Sequence, residues 1–213
     1  MSAGAANTGA LLRDSAAAMG LELLPARAER LERFLEALLV WRVRTPLVSQ
    51  RSAAEIIAKH VRDAFAVVPL AQGRRRIADL GSGAGFPGLV LAILCEDAEV
   101  ALVESKRRKA SFLREAVRCS DTDNARVVEA RAENLIGEDA GPYHLVVSRA
   151  VWPTAEFLSL ACPLLRPGGL AVAMKTPEDG QSRTLSPGYR SIREQEYHLG
   201  LGEKRILVLA EAE

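Results

Sequence analysis

Only three cysteines occur in 213 residues, Cys95, Cys119 and Cys162, an odd number at wide spacing. That excludes a disulfide framework, and no second cysteine or histidine stands at the spacing of a metal site. Buried free thiols in a reducing compartment, and no metal, are therefore expected. Long apolar runs are also missing, since none approaches the ~18 residues of a membrane span. The start, Met1 to Asn7, lacks the charged-then-apolar order of a secretion signal. A cytoplasmic protein with no membrane partner is the expectation. Net charge is low too, +1, which argues against bulk coating of nucleic acid. No repeat or low-complexity run is evident apart from the Ala-rich first eighteen residues, expected to fray at their start.

A length of 213 residues with 48% hydrophobic content is enough for one sizeable core, so one catalytic domain with an appendage is expected, acting as a monomer. Charge divides unevenly along it. Residues 1–76 hold 12 Lys/Arg against 7 Asp/Glu, and residues 77–213 hold 16 against 20. A local excess such as Arg42, Arg44, Arg51, Lys59 and Arg62 could track phosphates, or simply form a solvated helix face. Pro25 can start a helix with Leu31, Phe34, Leu35, Leu38 and Leu39 at 3.6 spacing, ending near Thr45-Pro46, and a second helix is expected over Ala53 to Val67, stopped before Pro69. These give a helical N-terminal region, 1–72. Residues 73–213 form the catalytic domain, where strand and helix alternate to about Lys175 as a doubly wound, mostly parallel sheet requires. A surface loop over Thr176 to Pro187 precedes two strand-like pieces around Tyr197 and Arg205, separated by Gly200 to Glu203.

The most informative segment runs from Asp79 to Gly88, Asp-Leu-Gly-Ser-Gly-Ala-Gly-Phe-Pro-Gly, placed between the apolar Ile77-Ala78 and the apolar run Leu89 to Leu94. This is a strand, a tight turn and a helix start. Gly81, Gly83 and Gly85 allow φ > 0 and close approach of backbone to ligand, and Pro87 suits the first helical position. A nucleoside-bearing cofactor is the default inference. The spacing alone leaves two classes open, since Gly81-x-Gly83-x-Gly85 suits S-adenosylmethionine while Gly83-x-Gly85-x-x-Gly88 also fits the dinucleotide fingerprint. Glu104, at the end of the next strand, supports a ribose in either case.

Further strand tips follow. Val127-Val128-Glu129 reads as a third strand leading to Arg131-Ala132-Glu133, where Ala132 and Glu133 could hold an adenine. Tyr143 to Ala150 reads as a fourth, with Pro153 opening the next helix. All lie at carboxyl ends of strands, where ligands of open α/β sheets sit.

These residues resemble the RsmG (GidB) family, bacterial methyltransferases acting on guanine N7 in 16S rRNA. Pro87 after Gly-Phe, together with Ser148-Arg149-Ala150, discriminates it from generic methyltransferases, and the match runs from about Trp41 to Arg205. The resemblance implies a class I (Rossmann-like) methyltransferase fold ending in an antiparallel hairpin, S-adenosylmethionine as cofactor, and 16S rRNA or the small ribosomal subunit as partner. It implies that Gly81, Gly83, Gly85 and Phe86 hold the methionyl part, Glu104 the ribose, Ala132 and Glu133 the adenine, and that Arg149 belongs to the cofactor site. His60 and Asp63 fall on the family's His-x-x-Asp pair, although Ala64 follows where the family has Ser. The family's Asn-Leu-Thr reads Pro46-Leu47-Val48 here, and its Asp before the fourth strand core is His144.

Guanine N7 carries a free lone pair and no proton to lose, so methyl transfer needs alignment and electrostatic support, with no obligatory base. The absence of a His-Asp or cysteine apparatus is then expected, and no catalytic residue is assigned. Trp152 could stack on a flipped base or simply pack. Lys175 could meet a phosphate or close a strand-end ion pair. Two other readings are a nicotinamide-dependent oxidoreductase, for which no substrate domain or proton relay is found, and a catalytically silent RNA-binding module, which a collapsed cofactor pocket would expose.

Overall fold

In the computed structural model, residues 3–135, 141–178, 186–200 and 202–213 are described, with side chains from residue 8 onward. Seven strands form one sheet in the order β3-β2-β1-β4-β5-β7-β6. β1 (Arg76–Leu80), β2 (Glu99–Val103), β3 (Ala125–Val128), β4 (Tyr143–Arg149) and β5 (Leu165–Lys175) run parallel, while β6 (Tyr189–His198) and β7 (Lys204–Ala212) close the sheet as an antiparallel hairpin, with β7 against β5. The expected doubly wound fold is thus present. Strand order reverses between β1 and β4, and the crevice at such a reversal is where doubly wound sheets bind ligands.

The strands are apolar on both faces because both faces are covered. Ile77, Val100, Leu102, Leu145, Val147, Val172, Leu207 and Leu209 point to one side, and Ala78, Leu80, Ala101, Val103, Val146, Ala171, Ala173, Val208 and Ala210 to the other. The first side is covered by α1 (Ala3–Ala17), α2 (Pro25–Trp41), α3 (Ala53–Ile56), α4 (Arg62–Phe65), α5 (Val68–Ala71), α6 (Gly88–Leu94) and α7 (Arg107–Cys119); the second mainly by α8 (Thr154–Ala161). Leu31, Phe34, Leu35 and Leu38 of α2 are buried in the same cluster as the sheet residues. Each such burial contributes about 1.5–3 kcal/mol, so the N-terminal helices share one core with the sheet.

Several boundaries differ from the sequence expectation. α2 ends at Trp41, short of Thr45-Pro46. The second helix is interrupted by a π-helical turn, Ile57–Val61. Pro69 does not stop it, because a proline needs no N–H donor in the first turn of a helix, and it sits there in α5. Pro87, joined to Phe86 by a cis peptide, is the N-cap residue of α6 instead of its first position. All three cysteines are free but only half-buried, short of the full burial expected. Of the loop expected over 176–187, residues 179–185 lie outside the described residues, as does 201 in the hairpin turn. No helix among the described residues is long and apolar enough to cross a membrane.

Candidate functional site

The turn after β1 is built from backbone. Gly81 (φ +72°) and Ser82 donate their N–H groups to the Val103 carbonyl, both at 2.9 Å, tying the turn to the tip of β2. A Cβ on Gly81 would lie 2.7 Å from Val151 Cγ2, so no side chain fits there. Gly83 (φ +54°) donates its N–H to Glu104 Oε2 at 3.0 Å, and Lys106 donates its N–H to Oε1 at 2.8 Å. Glu104 is 6% exposed, so it is no solvated strand end. Two amides fix its carboxylate and leave each oxygen a further lone pair, the geometry that accepts a ribose diol.

A cleft of about 240 Å³ opens here. Gly81, Glu104, Ala132 and Glu133 all line it, as do Lys106, Lys109, Val151 and Trp152. Ala132 is buried in a 3-10 turn, Ala132–Asn134, with Glu133 exposed beside it. The cleft is open, unlike the collapsed pocket of a silent module.

The structure places the other expected residues differently. Gly85 would bring a Cβ within 3.1 Å of Phe34 Cζ, so it faces the core. Phe86 is 2% exposed, tilted against Phe34 (centroids 5.1 Å apart) and stacked with His60 (5.4 Å, 24°). It supports the turn from beneath and does not line the cleft.

Arg149 stands at the tip of β4, its Cζ 5.3 Å above the Phe86 ring centroid, in a second cavity of about 260 Å³. The two cavities meet at one strand tip, Arg149 and Ala150 lining one, Val151 and Trp152 the other. Ala150 takes φ +54°, a conformation L residues rarely hold, and Ser148 Oγ donates to the Leu80 carbonyl at 2.9 Å, joining the tips of β4 and β1.

A polar network orients Arg149. Nη1 donates to His60 Nδ1 at 2.8 Å and to Asp63 Oδ2 at 3.3 Å. Tyr197 on β6 donates to Asp63 Oδ1 at 2.5 Å, and His60 Nε2 meets Gln50 Oε1 at 2.7 Å. Because Nδ1 accepts, the proton of His60 is assigned to Nε2. Burial, then the charges of Arg149, Lys59 and Arg205, pull the His60 pKa down to about 3. Burial and Asp63 push the Tyr197 phenol up. A neutral imidazole and a protonated phenol are thus the working forms.

Behind the turn, Asp79 is fully buried. Its Oδ2 accepts from Gly88 N–H at 2.9 Å, Oδ1 has no partner, and burial lifts its pKa to about 6. A Cβ on Gly88 would lie 2.5 Å from Asp79 Oδ2. Sequence reasoning assigns no role to Asp79, Gln50 or Tyr197. Asp79 heads the glycine motif and could have been singled out, whereas Tyr197 is placed only by the pairing of the hairpin.

Among the candidate phosphate contacts, Arg62 is committed to the fold, donating to Ser15 Oγ at 3.2 Å and to the Leu199 carbonyl at 2.9 Å. Arg44 and Arg51 are exposed, and Lys59 stands at the second cavity. Trp152 is half-buried at the cleft and gives its carbonyl to Lys175 Nζ. His144 lies elsewhere, near Arg166 (3.1 Å), and His198 is exposed on the hairpin.

Comparison with known proteins gives a consistent result. The sequence pattern of the family described as rRNA small subunit methyltransferase G (GidB) matches residues 27–193. A ribosomal RNA small subunit methyltransferase G of Stenotrophomonas maltophilia (strain K279a) is 42% identical over 171 residues, covering 80% of this chain and 78% of that protein. One of the same name from Aromatoleum aromaticum is 36% identical over 209 residues, covering 95% and 98%. Among solved structures, cofactor-bound Rv0187 from MTB superposes with a TM-score of 0.64 at 19% identity, over 84% of this chain and 89% of that one, a likeness of fold alone.

Proposed function

The chain belongs to the rRNA small subunit methyltransferase G (GidB) family, and from that premise we propose that it transfers the methyl group of S-adenosylmethionine to N7 of a guanine in 16S rRNA. The observation that carries this reading is the Glu104 carboxylate, buried and held by the amides of Gly83 and Lys106 at the mouth of an open cleft. It fits a ribose whose adenine lies against Ala132 and Glu133. When bound, S-adenosylmethionine supplies an electrophilic methyl on a positively charged sulfur.

The chain's own part is to align and to exclude. Gly81 and Gly83 bring main chain to the floor of the cleft without side chains in the way. The methionyl end then runs past the turn toward Arg149, whose guanidinium suits a carboxylate. Gly85 and Phe86 act from beneath by fixing the turn. No residue need remove a proton, since the N7 lone pair is free, and the neutral His60 is consistent with that. Residues 1–72 are assigned to RNA contact, though they share the core of residues 73–213.

The test is twofold. Calorimetry should show S-adenosylhomocysteine binding and no saturable NAD or NADP binding. Mapping of N7-methylguanosine in 16S rRNA, with and without the gene, should show one site that depends on it; a dependent methyl on another atom would overturn the N7 assignment.

A further inference from the structure

Four cationic side chains from distant parts of the chain converge on the second cavity: Lys59 from the π-helical turn, Arg149 from β4, Lys175 from β5 and Arg205 from β7. One carboxylate, Asp63, lines it with them, and Asp63 is already engaged by Arg149 and Tyr197. Arg205 also pairs with Glu203, and Lys175 donates to the Trp152 carbonyl. The lining still carries an excess of positive charge, and like charges gathered in a concave protein surface are unfavourable unless an anion joins them. The depressed basicity of His60, to which Arg149, Lys59 and Arg205 all contribute, records the same positive potential.

We propose that this cavity, through Lys59 and Arg205, receives the phosphodiester group next to the acceptor guanine. The inference rests on the rRNA guanine reading above and adds the place where the nucleotide backbone is held. The lining offers mainly donors, which match a phosphate with acceptors only. It suits the base less well, because N7 becomes cationic as the methyl arrives. The cavity is joined to the cofactor cleft through consecutive residues 149–152, so a phosphate held in one leaves its base within reach of the other. Phosphate contacts of this kind set register, and a base extruded from its stack needs such an anchor.

The experiment uses the full chain with a 16S rRNA transcript and, separately, S-adenosylhomocysteine. Lys59→Met alone and Lys59→Met with Arg205→Met are compared with the conservative Lys59→Arg. In the double variant KM for RNA should rise about tenfold or more and the log–log salt slope of RNA binding should fall by about two, one for each phosphate-binding cation removed. Lys59→Met, on an exposed side chain, should show about half the slope change without risk to folding, and Lys59→Arg should restore affinity. Affinity for S-adenosylhomocysteine should stay within about twofold in all variants. A parallel loss of S-adenosylhomocysteine affinity would overturn the proposal by making the cofactor's carboxylate the bound anion, and an unchanged KM and salt slope would overturn it outright. If the unaltered protein methylates no rRNA guanine, the underlying functional reading fails instead.

Discussion

Arg149 and His60 share a 2.8 Å hydrogen bond in which the guanidinium donates to Nδ1, so the imidazole beside the reaction centre is held neutral. With its pKa near 3, His60 does not titrate in the range where an enzyme works.

The first prediction follows. Single-turnover methyl transfer with saturating RNA should stay nearly flat between about pH 6 and 8.5, where a histidine or tuned carboxylate would otherwise titrate. Replacing His60, His144 or His198 by Ala should lower the rate less than Arg149→Ala, which should weaken cofactor binding, slow transfer, or both, by about tenfold or more. A steep pH dependence that disappears in one histidine variant would point to an acceptor that must lose a proton.

Gly83→Val should abolish S-adenosylhomocysteine binding in calorimetry. A β-branched residue does not tolerate φ near +54°, and the N–H that holds Glu104 would be displaced with the backbone. Retained binding would mean that Glu104 is held without the turn.

Asp79 and His60 give stability opposite dependences on pH. Asp79, raised to about 6 from 3.8, binds its proton more readily when folded, so its contribution falls as pH rises from about 4 to 6. His60, lowered to about 3 from 6.5, is stabilising at neutral pH, and its contribution is lost as pH falls through that window. Asp79→Asn removes only the first, so urea midpoints should show its stability relative to the unaltered chain increasing between about pH 4 and 7, by up to roughly 3 kcal/mol. A constant difference would mean that Asp79 is not protonated in the fold.

Reversing charge at Arg42, Arg44 and Arg51 should weaken RNA binding in a salt-dependent way and spare the cofactor. Arg62→Ala should instead lower the unfolding free energy by about 1–3 kcal/mol by removing its hydrogen bonds to Ser15 and Leu199, with no change in salt slope. Unchanged RNA affinity in the triple reversal would reduce that basic group to a solvated face.

The contrast between Arg42 and Arg62 shows what could be read from sequence. Parallel strands, the glycine turn and Glu104 at the next strand tip were legible because each is a local pattern, with apolar runs of strand length and glycines where positive φ is needed. Whether an arginine is spent on the fold depends on partners such as Leu199, 137 positions away, and no periodicity reports that. The core-facing position of Phe86 was hidden for the same reason, since Phe34 and His60, which enclose it, lie on separate helical segments. The π-helical turn that carries His60 has no signature in residue type, only in the way the helix meets its neighbours.

Strand order also governs timing during synthesis. β6 is made before β7, yet its only neighbour in the sheet is β7, which lies between it and β5. The strand that carries Tyr197 therefore waits, unpaired, until Lys204–Ala212 has left the ribosome, and only then can its hydroxyl reach Asp63 and complete the bracing of Arg149. Although its motifs are translated early, the reaction centre is finished late, by a hairpin that lines neither the glycine turn nor the cofactor cleft.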